Sequence, residues 1–241
     1  MLRFMLFTPD GGANSGSEMQ SMSESHGSPG MISYRVARHS LIDRLFHWLT
    51  AVCMLILLAT ALLPIFGIKF NWLTAHWVAG LILTAAVLLH VIRAFTVLKL
   101  RDMAIYPREF IAATRAELST LTGDRYKPST IGKYSVAQKF FHFGMGIVVL
   151  VVIATGLVMM TGIDTPFWER DPYFVSERVR GIVFVAHGVA TLLSISMIII
   201  HIYFAFRPEK LYFTRSTISG WISRTDYEKN HDPLLWGEDE S

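Results

Sequence analysis

Four long apolar runs, separated by polar segments, dominate the hydropathy pattern of this 241-residue chain. Each run is near or above the roughly 20 residues that cross the hydrocarbon core of a bilayer as an α-helix. The pattern therefore predicts an all-α membrane protein, a four-helix transmembrane bundle that occupies residues 31–215 as one domain. The predicted spans are 46–63, 75–97, 140–161 and 181–206.

The segments outside the spans are polar, and each receives its own prediction. Residues 1–30 are rich in Ser and Gly, which predicts a disordered tail, and they lack the long apolar core of a signal peptide. Between the second and third spans, residues 106–121 have the pattern of an amphipathic helix at the membrane surface. Residues 216–241 are predicted to be a C-terminal tail in the cytoplasm.

Composition and charge agree with this topology and fix its orientation. Hydrophobic residues make up 52% of the chain, and the mean hydropathy is +0.40. Seventeen of the 22 Lys and Arg residues lie on the side of the N-terminus, and four lie in the two opposite loops. The positive-inside rule then places both termini of this multi-pass protein, and its long middle loop, in the cytoplasm. Topology thus explains the net charge of +3, and nothing in it indicates a nucleic-acid partner.

The single cysteine, Cys53, lies inside the first span. One cysteine excludes a disulfide, an iron–sulfur cluster held by this chain's thiolates, and a covalent C-x-x-C-H haem site. Any haem must therefore be held by coordination alone.

Histidines inside the spans are the candidate functional residues. His187 and His201 are fourteen residues apart on the fourth span, which places them on one helix face about 21 Å apart along the axis. His76 and His90 repeat that spacing on the second span. Ionisable groups in a span usually mark a functional site, and imidazoles at two depths suit the axial ligation of two b-type haems.

Depth decides which histidines could pair. Only His76 and His187 lie in the external half of the bundle, so they are the expected ligands of an external haem. The cytoplasmic half holds more histidines than one haem requires: His47, His90, His142 and His201. The helix spacing makes His201 one ligand there, and its partner is either His47 or His90, with the two matching helices slightly favouring His90.

Three other interpretations of these histidines stay open. They could be core residues hydrogen-bonded to backbone or hydroxyl groups, or they could form the proton relay of a transporter without haem. The chain could also be a structural membrane anchor for a soluble complex. The last two predict no haem absorbance.

The residues resemble a known family, the membrane cytochrome b (gamma) subunit of respiratory formate dehydrogenases, with the related hydrogenase and thiosulfate reductase cytochromes. The similarity covers about seven-tenths of the chain, from Tyr34 to Phe206. The motifs that carry it are Ile42-Asp43-Arg44 with His47-Trp48, His76 with Gly80 and Arg93, Gly132-Lys133-Tyr134 with Gln138-Lys139, and His187 with His201-Ile202-Tyr203.

This resemblance implies two haem b groups, an external one held by His76 and His187 and a cytoplasmic one held by His47 and His201. It also implies that electrons from an iron–sulfur subunit outside pass through both haems to menaquinone or ubiquinone. A separate catalytic subunit, with molybdenum, tungsten or nickel–iron, would act on the primary donor, and trimers of such heterotrimers are implied. This chain would then be an electron-transfer and quinone-reducing subunit in the bacterial cytoplasmic (inner) membrane, itself not catalytic on that donor.

A quinone pocket is implied beside the cytoplasmic haem, at the start of the third span. Ser135, Gln138 and His142 are the expected residues there, and His142 could exchange a proton with the quinone near neutral pH. The chain has Ser135 where formate dehydrogenase relatives have Asn, and it has His90 and His142 where they have apolar residues. These departures favour another branch, such as the cytochrome b of a membrane hydrogenase, as the alternative.

Overall fold

The computed structural model describes residues 35–98, 100–122, 131–232 and 235–236. The predicted disordered tail, residues 1–30, lies outside them. Helices dominate the described part of the chain. In order, the elements are β1 (Arg35–Ala37), α1 (Leu41–Leu62), α2 (Trp72–Thr96), α3 (Leu100–Met103), α4 (Pro107–Thr122), α5 (Val136–Met160), α6 (Glu177–Ala205), a 3-10 turn (Pro208–Lys210), α7 (Leu211–Ser219), β2 (Trp221–Ser223) and α8 (Arg224–Asn230).

Four of these helices, α1, α2, α5 and α6, are long and apolar enough to cross a membrane, which confirms the four predicted helices. They form two hairpins, α1–α2 and α5–α6. Most of their large apolar side chains are exposed on the outside of the bundle, as expected of surfaces that face lipid. Inside, a core cluster joins the first hairpin: Cys53, Met54, Leu57, Ala79 and Leu83.

Three of the four helices, α1, α5 and α6, begin a few residues before the predicted apolar spans because serine side chains cap them. At α1, Ser40 Oγ accepts from the Asp43 backbone N–H, and the Asp43 side chain accepts from the Ser40 backbone N–H. Ser135 and Gln138 form the same reciprocal capping box at α5. These caps satisfy N–H groups that have no partner inside the helix, so the helix extends beyond its apolar part.

The predicted amphipathic helix is α4, which extends from Pro107 to Thr122. Lys139 of α5 anchors the start of α4, because the buried Lys139 Nζ donates to Glu109 Oε2 and to the Ala104 carbonyl oxygen, both at 2.8 Å. A buried ammonium with an anionic partner and a second acceptor is well satisfied.

The segments before α1 and after α6 fold together into a small cap at the end of the bundle where α1 and α5 begin. We name this end the capped end. The opposite end, with residues 63–71 and 161–176, is named the loop end. β1 pairs antiparallel with β2, with Arg35 opposite Ser223. Val36, Ile222, Tyr227 and Trp236 form its apolar core.

The segment predicted as a C-terminal tail, residues 216–241, therefore differs from that prediction over its described part. It contains the end of α7, β2 and α8, and Tyr227 and His231 are each only 1% exposed. The short strands give no periodic signal, and the paired residues lie 184 to 188 positions apart in the sequence, which explains why the sequence pattern missed them.

Candidate functional site

At the loop end, the structure brings His76 and His187 together. His76 lies in the second turn of α2, and His187 lies on α6 in the other hairpin. Their ring centroids are 6.4 Å apart, with planes inclined by 62°. Both rings are half-buried.

Two threonines orient these rings. Thr60 Oγ1 lies 2.8 Å from His76 Nδ1, and Thr155 Oγ1 lies 2.8 Å from His187 Nδ1. Each hydroxyl donates its one hydrogen to a backbone carbonyl of its own helix, those of Ile56 and Val151. A hydroxyl that donates to the carbonyl accepts from the imidazole Nδ1–H, and this tautomer leaves the Nε2 lone pair of each ring for a metal.

The His187 ring packs against α5 at Gly156. A Cβ added to Gly156 would lie 3.5 Å from His187 Cε1, which is ordinary contact distance. Gly80, by contrast, faces the first helix, since a Cβ there would meet Leu57 Cδ2 at 3.9 Å. Gly80 therefore serves the packing of α1 on α2.

At the capped end, His47 of α1 faces His201 of α6. Their ring centroids are 6.2 Å apart and the planes are inclined by 46°. Phe141 of α5 stacks on the His201 ring with centroids 5.1 Å apart. His47 Nδ1 is buried and has no hydrogen-bond partner within the described ranges, so no such bond fixes the tautomer of this ring.

Both pairs fit the axial ligation of a haem iron. Two imidazoles on opposite sides of a metal, with metal–nitrogen bonds of about 2 Å, place their ring centroids about 6 Å apart. The measured separations, 6.4 and 6.2 Å, agree with that value. In each pair one ring comes from each hairpin, so a bound haem would connect the two halves of the bundle.

The remaining two membrane histidines face each other. His90 of α2 and His142 of α5 have ring centroids 6.1 Å apart, with planes inclined by 66°. Phe46 stacks on His90 at 4.2 Å. The described residues include no ring contact between His90 and His201, the pairing that the helix spacing slightly favoured.

Ser135 and Gln138, expected at a quinone pocket, lie at the start of α5. Ser135 Oγ accepts from the Gln138 backbone N–H at 3.3 Å, and Gln138 Oε1 accepts from the Ser135 backbone N–H at 2.9 Å. Helix capping thus already uses the acceptor atoms of both side chains. The hydroxyl hydrogen of Ser135 and the amide nitrogen of Gln138 are the groups left to meet a ligand.

Two arginines of the sequence motifs that carry the family resemblance form contacts between helices. Arg93 of α2 forms an ion pair with Asp43 of α1, which joins the two helices of the first hairpin. Arg44 Nη1 donates to the Ile218 carbonyl oxygen at 2.6 Å and so joins α1 to α7.

A buried cation lies in the cap beside this end of the bundle. Arg38 is 3% exposed, its Nη2 donates to the Lys133 carbonyl oxygen at 3.0 Å, and its guanidinium lies 4.1 Å from the centroid of the Phe213 ring. Burial lowers the pKa of Arg38 to about 10. Burial, together with the Arg38 charge, lowers the pKa of His39 to about 3, so His39 is neutral at physiological pH.

Comparison with known proteins places this arrangement in a family. The family model described as prokaryotic cytochrome b561 matches residues 38–216, which hold all six membrane histidines. The chain belongs to the prokaryotic cytochrome b561 family. A cytochrome b binds haem b through its axial ligands, so membership in the family implies haem b in this protein.

Among the relatives of this family member are subunits of formate dehydrogenases. One is the formate dehydrogenase cytochrome b556 subunit of Haemophilus influenzae, 23% identical over 217 residues, which are 85% of this chain and 84% of that protein. Another is the cytochrome b556(Fdn) subunit of the nitrate-inducible formate dehydrogenase of Escherichia coli. It is 25% identical over 216 residues, 86% of this chain and 92% of that protein. The resemblance seen in the motifs is therefore confirmed over most of the chain.

Sequence reasoning missed the two threonines that orient the loop-end rings. A signal for them exists, because Thr60 follows His47 by thirteen residues and Thr155 follows His142 by the same interval. Threonine is also common in membrane helices, where its hydroxyl bonds the backbone one turn earlier. Only the arrangement of helices shows which threonines face a histidine.

Proposed function

We propose that this cytochrome b561 family member is the membrane cytochrome b subunit of a formate dehydrogenase-type respiratory complex in the bacterial inner membrane. It would pass electrons through haems at two depths to a quinone. The observation that carries the proposal is the pairing of histidines from the two hairpins at both ends of α6. The names of the relatives support the formate dehydrogenase assignment.

In this proposal, His76 and His187 hold the loop-end haem, and His47 and His201 hold the capped-end haem. When bound, the haem supplies one-electron redox chemistry. The chain sets the distance between the two centres, because fourteen residues of α6 separate His187 from His201 by about 21 Å. Thr60 and Thr155 hold Nδ1–H on the loop-end ligands and so keep their Nε2 atoms available.

The partners are an iron–sulfur subunit and a catalytic subunit of the same complex. The excess of Lys and Arg at the capped end supports a cytoplasmic position for that end. Electrons would then enter at the external loop end, and quinone reduction would take protons from the cytoplasm. Negative charge moving inward and protons consumed inside both contribute to the proton-motive force.

The quinone, menaquinone or ubiquinone, would bind at the start of α5. Ser135 and Gln138 can each still donate one hydrogen bond to a quinone oxygen, because capping uses only their acceptor atoms. His142 lies two turns of helix from Ser135 and completes the proposed set.

The haem assignment is tested by haem content and reduced-minus-oxidised spectra of the purified chain. His76→Ala and His187→Ala should lose the same spectral component, and His47→Ala and His201→Ala should share the loss of a different one. Leu89→Ala is the matched control on α2, because Leu89 is 67% exposed on the outside of the bundle. Full haem content in all four histidine variants would refute the proposal.

The quinone site is tested with Gln138→Glu in the assembled complex. Glutamate keeps the acceptor that the capping box needs, so α5 should stay intact, but it removes the amide donor. We expect a KM for quinone at least several-fold higher, with unchanged haem content. An unchanged KM would remove Gln138 from the quinone site. Asp43→Glu, at the corresponding position of the α1 capping box, is the control.

A further inference from the structure

The short segment ahead of α5, residues 131–134, is held by the cap. It lies directly before Ser135, where the quinone site of the proposed function begins. Ile131 exchanges two backbone hydrogen bonds with the C-terminal segment, at 3.2 and 2.9 Å. His231 of that segment donates from Nδ1 to the Gly132 carbonyl oxygen at 2.8 Å, since a carbonyl can only accept. The C-terminal segment thus fixes the backbone that leads into α5.

Arg38, which precedes α1, contacts the next carbonyl of the same segment. Its Nη2 donates to the Lys133 carbonyl oxygen at 3.0 Å, and its guanidinium lies 5.7 Å from the centroid of the Tyr134 ring. Two residues of chain span at most about 7 Å, so the guanidinium lies within about 10 Å of the Ser135 backbone. A positive charge therefore adjoins the start of α5.

This charge is buried and has no anionic partner. Arg38 is 3% exposed, and its Nε and Nη1 have no hydrogen-bond partner within the part of the chain that the structure describes. Its neighbours are aromatic, with the Phe213 and Trp236 ring centroids 4.1 and 5.8 Å from the guanidinium. Burial raises the pKa of Tyr134 and of Tyr212 to about 12, so both phenols are neutral at physiological pH and compensate no charge.

Such a group lowers the stability of the cap. A buried cation without an anion is costly, and two unpaired donors add to that cost, although the ring faces recover part of it. An apolar side chain of the same length would pack there without these penalties. Groups that break the rules of stable packing are expected at functional sites, and this one lies at the proposed quinone site.

We propose that Arg38 is a positioning residue of the quinone site, which fixes the backbone ahead of Ser135 and places a buried positive charge beside the quinone headgroup. This inference rests on the proposed function, in which a quinone is reduced at the start of α5. Two electrons from the haem and two protons from the cytoplasm convert the quinone to its hydroquinone. An electron that arrives before its proton leaves negative charge on the quinone oxygens, and a fixed cation in a site of low dielectric constant stabilises that charge.

The experiment follows the oxidation of chemically reduced haem by menadione, which has the menaquinone headgroup, in the purified complex. Arg38→Met removes the charge and its donors but nearly keeps the length of the side chain. The half-saturating menadione concentration should rise at least several-fold at unchanged haem content. The unfolding temperature should stay the same or rise, because an unpaired buried cation is lost. A purely structural role would instead lower stability together with the reaction.

Two further variants at this position and one control complete the series. Arg38→Lys keeps the cation and should lie between wild type and Arg38→Met. Arg38→Gln keeps an amide donor for the Lys133 carbonyl and removes the charge, so it should also raise the half-saturating concentration. Arg38→Gln decides the question if Arg38→Met fails to fold. Arg224→Met removes a half-exposed cation of the cap, which pairs with Glu228, and should leave the reaction unchanged.

Three outcomes would count against these expectations in distinguishable ways. Wild-type behaviour of Arg38→Met and Arg38→Gln, with a raised value in Gln138→Glu, would overturn this inference and leave the proposed quinone site standing. Wild-type behaviour of Gln138→Glu as well would instead move the quinone away from the start of α5, against the proposed function. Loss of haem or of thermal stability in parallel with the kinetic change would make Arg38 a structural residue of the cap and overturn the inference.

Discussion

The hydrogen bonds from the loop-end histidines to threonine allow one prediction to be developed in depth. Thr155→Val removes the acceptor of His187 Nδ1–H and nearly keeps the volume of the side chain. The half-buried ring then carries an unpaired N–H, and it becomes a less basic ligand because its orienting partner is lost. Thr60→Val does the same to His76 from the opposite side of the site.

The magnitude follows from the role of such partners in metal sites. Loss of one partner lowers metal affinity by about 10- to 100-fold, which corresponds to about 1.4 to 3 kcal/mol. Both substitutions act on the same haem, so the double variant should lose more affinity than either single variant. The proposed capped-end haem should be unaffected, because its proposed ligands lie about 20 Å away along α6.

The assay is the transfer of haem from the purified chain to an excess of a haem-scavenging apoprotein. Thr84→Val is the matched control, because the Thr84 hydroxyl also donates to a backbone carbonyl, that of Gly80 at 2.7 Å, but forms no hydrogen bond with a histidine within the described residues. Thr155→Ser keeps the acceptor and should restore slow transfer. Equal transfer from Thr155→Val and Thr84→Val would refute the argument that the threonine holds the ligand.

Three further predictions concern the capped end. Asp43→Asn breaks the half-buried ion pair with Arg93 and should lower the free energy of unfolding by about 1–3 kcal/mol, measured by thermal denaturation in detergent. His39, with a folded pKa of about 3 against 6.5 unfolded, should lose stability as pH falls below 6.5, by about 2 kcal/mol at pH 5, and His39→Gln should abolish that slope. Lys139→Met leaves Glu109 without its cation, so amide hydrogen exchange in α4 should accelerate while exchange in α5 stays slow.

The spans could be predicted from the sequence because a bilayer imposes one simple requirement. Twenty apolar residues in a row have few alternatives to a membrane helix, so the four helices followed directly. Their starting points did not, since capping at Ser40 and Ser135 is independent of hydropathy. The cap was missed for a different reason. Its strands are three residues long, and only tertiary packing makes Val36 and Ile222 neighbours.

The depth of each histidine in the membrane was the strongest guide to the site. Depth alone, however, could not decide which histidines pair at the capped end. Position in a span gives the height of a histidine, and at the loop end height alone selects His76 and His187. At the capped end four histidines share one height, so the choice depends on which helices are neighbours. Hydropathy does not show which helices are neighbours in the plane of the membrane. The spacing argument accordingly favoured a His90–His201 pair, which the described residues do not form.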